Sequence, residues 1–91
     1  MATLVGADLP ALQSLEAAFR RESEAVDALR SRIHAQVVGS EALWVGPAAQ
    51  QFRDRWQEQF VRALAELTEA LRGNADVVRA RHDAIERATG V

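Results

Sequence analysis

The 91-residue sequence contains no cysteine, no tyrosine and only two prolines. Without cysteine, the chain can form neither a disulfide framework nor a thiolate nucleophile nor a Cys-ligated zinc site. No apolar run approaches the ~18 residues needed to cross a bilayer, so the sequence predicts no membrane span. The scarcity of proline leaves long stretches free for regular structure. The fold must therefore depend on packing alone.

An excess of charge of one sign is also missing. The 11 basic and 13 acidic side chains leave a net charge of -2 at pH 7. Domains that bind nucleic acid usually carry a basic surface, so we expect no nucleic-acid partner. Hydrophobic residues make up 48% and charged residues 26%, which is typical of a folded chain. The length leaves room for a single domain, residues 1–91, with one small core.

The first half of the chain carries an apolar seam at helical spacing. Asp8 and Pro10 suit the start of a helix, since Asp can cap the first turn and Pro is tolerated in it. We predict helix 1 over residues 9–43. Gly39 either closes this helix as a left-handed cap or lies inside it. The seam residues step by three, four or seven: Leu12, Leu15, Phe19, Val26, Leu29 and Ile33.

The second half repeats the pattern with larger side chains. Gly46-Pro47 is a strong start signal and Thr89-Gly90 a matching stop, which predicts helix 2 over residues 47–88. Gly73-Asn74 weakens the pattern locally, and we expect the helix to continue through it. The main seam residues are Phe52, Trp56, Phe60, Leu64, Leu67 and Leu71.

A loop at residues 44–46 is too short to do anything but reverse the chain. The prediction is therefore an all-α fold, an antiparallel two-helix hairpin. Each helix can turn one face to its neighbour, yet apolar residues also lie beside the two seams. We expect a second hairpin to cover them, giving a four-helix bundle with Phe19 and Phe60 near its centre.

Residues that support catalysis are few. The two histidines, His34 and His82, are predicted at opposite ends of the hairpin, where they cannot share a metal. Neither Glu22 with Glu24 nor Asp83 with Glu86 is expected to join a histidine or a third carboxylate in a ligand set. No nucleophile elbow or phosphate-binding loop is present. We expect no enzyme activity, no catalytic residue, no metal and no cofactor.

Two polar residues fall at core-type spacing on helix 1. Glu22 and Gln36 each follow an apolar seam residue by three positions. The simpler interpretation places them at the edge of a drifting seam. Alternatively, they set the register or the choice of partner, as polar residues inside helical interfaces can do.

The segment from Leu43 to Trp56 is the most distinctive in the chain. It places Trp44-Val45-Gly46 between two helices and follows it with small residues and with aromatics four residues apart. The chain resembles the WxG (early-secreted-antigen-like, Esx) family of type VII secretion systems. The resemblance implies helical hairpins that pair into four-helix dimers. It also implies export without a signal peptide from actinobacteria and some other Gram-positive bacteria.

Within this resemblance, Gly46 is expected to permit a tight reversal that a Cβ would crowd, and Trp44 to fill the gap between the helix ends. The alternative role for Trp44 is a surface read by the secretion machine. Residues Met1 to Asp8 lack the basic and apolar regions of a secretory signal. The family's export signal, Tyr-x-x-x-Asp/Glu after the second helix, has its nearest counterpart here in His82 and Glu86, without the tyrosine.

The function implied is that of a secreted substrate, or partner of a substrate, made in the cytoplasm and exported as a dimer. The partner is a second copy or another WxG-like hairpin, with the secretion ATPase or a larger toxin as further partners. The missing tyrosine suggests that a partner supplies the signal. The alternative is a cytosolic helical adaptor, or a helper that binds the helical targeting domain of a larger toxin.

Overall fold

A computed structural model describes residues 8–89 and shows two antiparallel helical arms joined by a short turn. Helix α1 spans Leu9–Gly39 and a 3-10 turn spans Ser40–Ala42. The second arm comprises α2 (Pro47–Arg55), a π-helical segment (Trp56–Phe60) and α3 (Val61–Thr89). Residues 8–89 contain no strand, so the prediction of an all-α hairpin is confirmed. The molecule is a rod of 64 × 19 × 16 Å.

Helix α1 begins where the sequence predicts and ends earlier. Asp8 caps it by accepting a hydrogen bond from the Ala11 amide at 3.2 Å, and Pro10 lies in the first turn. Gly39 has a right-handed φ of -64°, so it is not a left-handed cap. The helix instead tightens into the 3-10 turn because the amide of Ser40 is shared between carbonyls of the preceding turn.

The reversal depends on the backbone of Gly46. Its φ of 113° is in a region that residues with a Cβ rarely adopt. An added Cβ would meet nothing within 4 Å. The expectation that a Cβ would be crowded is therefore wrong, and the requirement for glycine is conformational. Pro47 then occupies the first position of α2, where its missing N–H costs no hydrogen bond.

The two arms contact each other along heptad-spaced stripes. On α1 the residues that face the second arm are a mixture of apolar, small and charged side chains: Leu9, Leu12, Glu16, Phe19, Ser23, Val26, Arg30, Ile33, Val37 and Ser40. On the second arm they are Ala49, Arg53, Trp56, Val61, Leu64, Thr68, Leu71, Ala75, Val78, His82 and Ile85. The arms thus approach through small residues such as Ser23, Thr68 and Ala75, which are buried.

The π-helical segment shifts this contact stripe by one residue. Before it the contacts step through Ala49, Arg53 and Trp56, and after it they resume at Val61 instead of Phe60. A π turn holds one extra residue, so everything after it is rotated relative to an unbroken α-helix. The predicted seam residues Phe60 and Leu67 consequently lie beside the contact between the arms, half exposed. Leu15, Leu29 and Phe52, whose positions do not depend on the π turn, are also half exposed because each lies one position before a contact residue.

Helix α3 runs without interruption through Gly73 and Asn74, as expected, and ends at Thr89. The predicted stop signal falls at this boundary, with Gly90 outside the described residues. Met1 to Ala7, on which the expectation about the signal peptide rests, also lie outside them.

Candidate interaction surface

The turn end of the hairpin carries an aromatic cluster around Trp44. The ring of Trp44 lies 5.8 Å from that of Phe52, and the Arg53 guanidinium lies 6.0 Å from the Trp44 ring centroid. The same guanidinium donates hydrogen bonds to the carbonyl oxygens of Ser40 and Trp44. Trp44 is 44% exposed. It lies against the side of α2 and lines a cleft with the last turns of α1, so it covers the junction between the helix ends only in part.

Phe52 separates two shallow clefts at this end of the molecule. One, of about 200 Å³, is lined by Ile33, Gln36, Val37, Ser40, Trp44 and Phe52. The other, of about 270 Å³, is lined by Ala48, Gln51, Phe52, Arg55 and Phe60. Both clefts are mainly apolar, and together they place Gln36, Phe52 and Phe60 on the same side of the hairpin.

Trp56 is the first residue of the π-helical segment. It is only 4% exposed, and its indole N–H donates a hydrogen bond to Nδ1 of His34 at 3.1 Å. The two rings are stacked, with centroids 6.4 Å apart. This bond satisfies the polar atom of a buried indole. His34 therefore orients the aromatic core residue at the point where the helix changes pitch.

A second set of heptad positions forms an apolar surface that we call the outer face. On α1 it consists of Ala11, Leu15, Ala18, Glu22, Ala25, Leu29, Arg32, Gln36 and Gly39, and on the second arm of Phe60, Ala63, Leu67, Ala70, Asn74, Val77 and Arg81. Each of these stripes lies one position before a contact stripe. Two antiparallel helices are related by a pseudo-twofold axis normal to the plane that contains them. Positions that precede the contact by one residue on each helix therefore lie on the same side of that plane, so both stripes lie on one side of the hairpin.

The opposite side of the hairpin is charged and internally paired. Arg20 forms ion pairs with Glu16 and with Asp76, both at 2.9 Å. Arg79 reaches Glu16 at 3.7 Å and Asp83 at 3.3 Å. Hydrogen bonds to Asp76 and Glu16 raise the pKa of Arg20 above its usual value. This network links α1 to α3 away from the outer face.

His82, Asp83 and Glu86 lie close together on α3. Their potential ligand atoms are all within 4.8 Å of one another, so the expectation that Asp83 and Glu86 lack a neighbouring histidine is wrong. The i, i+1, i+4 spacing on a helix explains the proximity. His82 Nδ1 lies 3.0 Å from Asp83, a hydrogen bond that lowers the pKa of that carboxyl, as does the charge of Arg79. A guanidinium against Asp83 opposes the binding of a cation there.

The same residues are those expected to replace the family's export signal. His82 and Glu86 lie inside α3, one turn apart, and His82 is buried against α1. The family's signal is expected after the second helix, so the two placements differ. A buried histidine is also less available to a receptor than the exposed end of a chain.

The two polar residues singled out on helix 1 belong to the outer face. Glu22 and Gln36 are exposed and lie in line with Leu15 and Leu29. They therefore interrupt an apolar surface instead of lying at the edge of the contact between the arms.

Sequence reasoning missed Val61 and Thr68 as contact residues and the Trp56–His34 bond. No local sequence pattern signals the π turn that brings Val61 and Thr68 into the contact.

Comparison with known protein families, with curated proteins and with solved structures finds no match. The resemblance to the WxG family therefore rests on the chain's own residues. Among residues 8–89, no helix combines the length and apolarity required to cross a membrane.

Proposed function

We propose that this chain is a helical-hairpin export module of a type VII secretion system, which functions as one half of a four-helix bundle. The observation that carries the proposal is the outer face, an apolar surface on one side of a rod whose other side is charged. Large exposed side chains on that surface include Leu15, Leu29, Phe60 and Leu67. Such a face is typical of a helical interface that awaits a partner.

The exposed area of the hairpin supports this interpretation. It amounts to 6521 Å², whereas a compact monomer of this mass exposes about 5,200 Å². The excess is about 1,300 Å², which is more than the ~800 Å² that each partner buries in a standard protein interface. The rod shape of 64 × 19 × 16 Å leaves this area in solvent, and a partner hairpin along the outer face would cover part of it.

The turn and the C-terminal arm support the assignment to the WxG type. Trp44 and Gly46 lie in the reversal, as in that family, and the half-exposed Trp44 ring is available for recognition. The nearest equivalent of the export signal lies within α3 and lacks tyrosine. We therefore propose that the protein travels as a passenger, with the signal supplied by its partner.

Export tests the proposal directly. The culture supernatant is compared by immunoblot in strains with and without the partner gene and the secretion ATPase. We expect the protein outside the cell only when both are present. Glu86→Ala should reduce export less than deletion of the partner's C-terminal tail.

Three results would contradict parts of the proposal. Export that persists without the ATPase would reject the type VII assignment. Retention in the cytoplasm in every strain would favour a cytosolic adaptor. Loss of export on Glu86→Ala alone, with the dimer intact, would mean that His82 and Glu86 form a working signal.

A further inference from the structure

We infer that the partner hairpin is a second copy of this chain, packed antiparallel on the outer face, with Glu22 of each copy paired to Arg32 of the other. The inference rests on the proposed function for the face itself and names the occupant of that face. Its evidence is the order of side chains along α1.

Two copies whose outer faces meet can be related by a twofold axis that lies in the plane between them and runs perpendicular to the rods. This axis sets α1 of one copy antiparallel to α1 of the other. A residue of one α1 and a residue of the other α1 then lie at the same height along the rods when their two residue numbers add up to a fixed sum. When the axis passes between Ala25 and Leu29, Glu22 lies opposite Arg32 of the second copy, and the reverse pair forms by symmetry.

The remaining levels match in size as well as in charge. With the same axis, Leu29 faces Ala25, Leu15 faces Gly39 and Gln36 faces Ala18. Each level therefore joins a large side chain to a small one, which allows two helices to approach closely without voids. At the level of the axis, α3 contributes Leu67.

Other arrangements leave the charges unmatched. Moving one copy by a heptad, about 10 Å, places Arg32 opposite Leu15 or Leu29 and Glu22 opposite Ala25 or Gly39. Stacking the copies parallel places α1 on α3 of the second copy. The contact of Arg20 with Asp76 sets the level of the two arms, so Glu22 would then face Asn74. The antiparallel arrangement centred between Ala25 and Leu29 pairs both charges.

Both charged groups are free to make this contact. The Glu22 side chain is 62% exposed and its contact is the adjacent Arg21, at 3.9 Å. Arg32 is exposed and takes part in no ion pair among residues 8–89. The two residues are separated by ten positions, or about 15 Å, on one rigid helix, so they cannot pair within a chain.

Charge reversal tests the inference because the two pairs are reciprocal. In the homodimer of Glu22→Arg, two guanidinium groups oppose each other at both contacts, and in that of Arg32→Glu two carboxylates do. We expect each variant alone to dimerise roughly tenfold more weakly than the parent, by analytical ultracentrifugation and native mass spectrometry. An equimolar mixture of the two variants forms oppositely charged pairs in the mixed dimer and should regain most of the parent's affinity.

The controls separate folding from association. Far-ultraviolet circular dichroism should show unchanged helicity in each variant, and Glu24→Arg, a reversal on the charged side of α1, should leave dimerisation unchanged. The double variant Glu22→Arg/Arg32→Glu should dimerise like the parent. If the mixture and the double variant both fail to recover, the inferred register is wrong.

The outcome is distinguishable from that of the proposed function. A parent chain that stays monomeric at about 100 µM, and binds a different hairpin instead, overturns the second-copy inference and leaves the export proposal standing. A homodimer with the expected charge behaviour that is never exported supports the inference and contradicts the export proposal.

Discussion

At the scale of single residues, the two tryptophans have different surroundings and different roles. Trp56 is 4% exposed and hydrogen-bonded to His34, whereas Trp44 is half exposed beside Phe52. Trp56→Ala should lower the free energy of unfolding by about 3–5 kcal/mol, and Trp44→Ala by about half of that or less. Urea denaturation at one fixed protein concentration measures both, since dimerisation makes stability depend on concentration. Equal losses would contradict the assigned burial.

The indole bond can be separated from the bulk of the ring. Trp56→Phe removes the N–H donor and retains an aromatic side chain, and His34→Gln retains an acceptor of similar reach. We expect the second change to be the milder one in urea denaturation, because the glutamine still accepts from the buried indole while the phenylalanine leaves a smaller ring in the same space. A larger loss for His34→Gln would show that the imidazole is needed for its own packing.

The pH dependence of stability should include a contribution from Asp83. The hydrogen bond from His82 lowers its pKa below the usual 3.8, and Arg79 acts in the same direction. A carboxyl with a lower pKa in the folded state stabilises the fold above the unfolded value, and this contribution is lost as the pH falls through the folded value. Melting temperatures between about pH 2 and pH 6 should therefore fall less steeply in Asp83→Asn than in the parent.

The matched control is Glu66→Gln, which changes an exposed carboxyl that forms no ion pair among residues 8–89. It should leave the slope of the parent unchanged. If Asp83→Asn also leaves the slope unchanged, the His82–Asp83 bond does not persist in solution.

At the scale of elements, the start of each arm was predictable, whereas the end of α1 and the residues that the second arm turns toward α1 were not. Asp8, Pro47 and Gly46 act locally, so the start of each arm can be read from a few residues. Phe60 and Leu67 lie on the outer face, and not against α1, because the π-helical segment holds one extra residue. No local sequence pattern specifies that extra residue. An unbroken α-helix would continue the contact series Ala49, Arg53 and Trp56 to Phe60, and the π turn replaces Phe60 with Val61. That exchange leaves Phe60 on the outer face.

The π-helical segment predicts an unusual tolerance to deletion. Removing the exposed Glu58 should convert the segment to a regular α-helix and keep Val61, Leu64 and Thr68 against α1, because a π turn holds one surplus residue. Removing Glu66 instead rotates the rest of α3 by about 100° and exposes its contact stripe. Thermal melts should show near-parental stability for the first deletion and a large loss for the second. Similar losses in both would mean that the segment is needed for its own contacts.

At the scale of the whole molecule, two hairpins can pair either along their sides or end to end, and the rod shape gives the two dimers very different lengths. The hairpin is 64 Å long, and the level between Ala25 and Leu29 lies near the middle of α1. Antiparallel packing about that level overlaps the two hairpins along almost their whole length. The charged side, with Arg20, Glu16 and Arg79 engaged in ion pairs, then remains in solvent. The alternative contact, through the exposed Leu43 and Val45 at the turn, joins two rods end to end.

Small-angle X-ray scattering distinguishes the two geometries. Side-by-side packing adds one layer of helices, about 10 Å, to the thickness and keeps the maximum dimension near that of one hairpin. End-to-end contact through the turns would extend it to about 120 Å, twice the length of each rod. We expect the compact value, and we expect Glu22→Arg to shift the scattering toward a monomer of equal length and half the mass. An extended dimer that is insensitive to Glu22→Arg but disrupted by Leu43→Ser would place the interface at the turn, and the outer face would then be left without the occupant assigned to it.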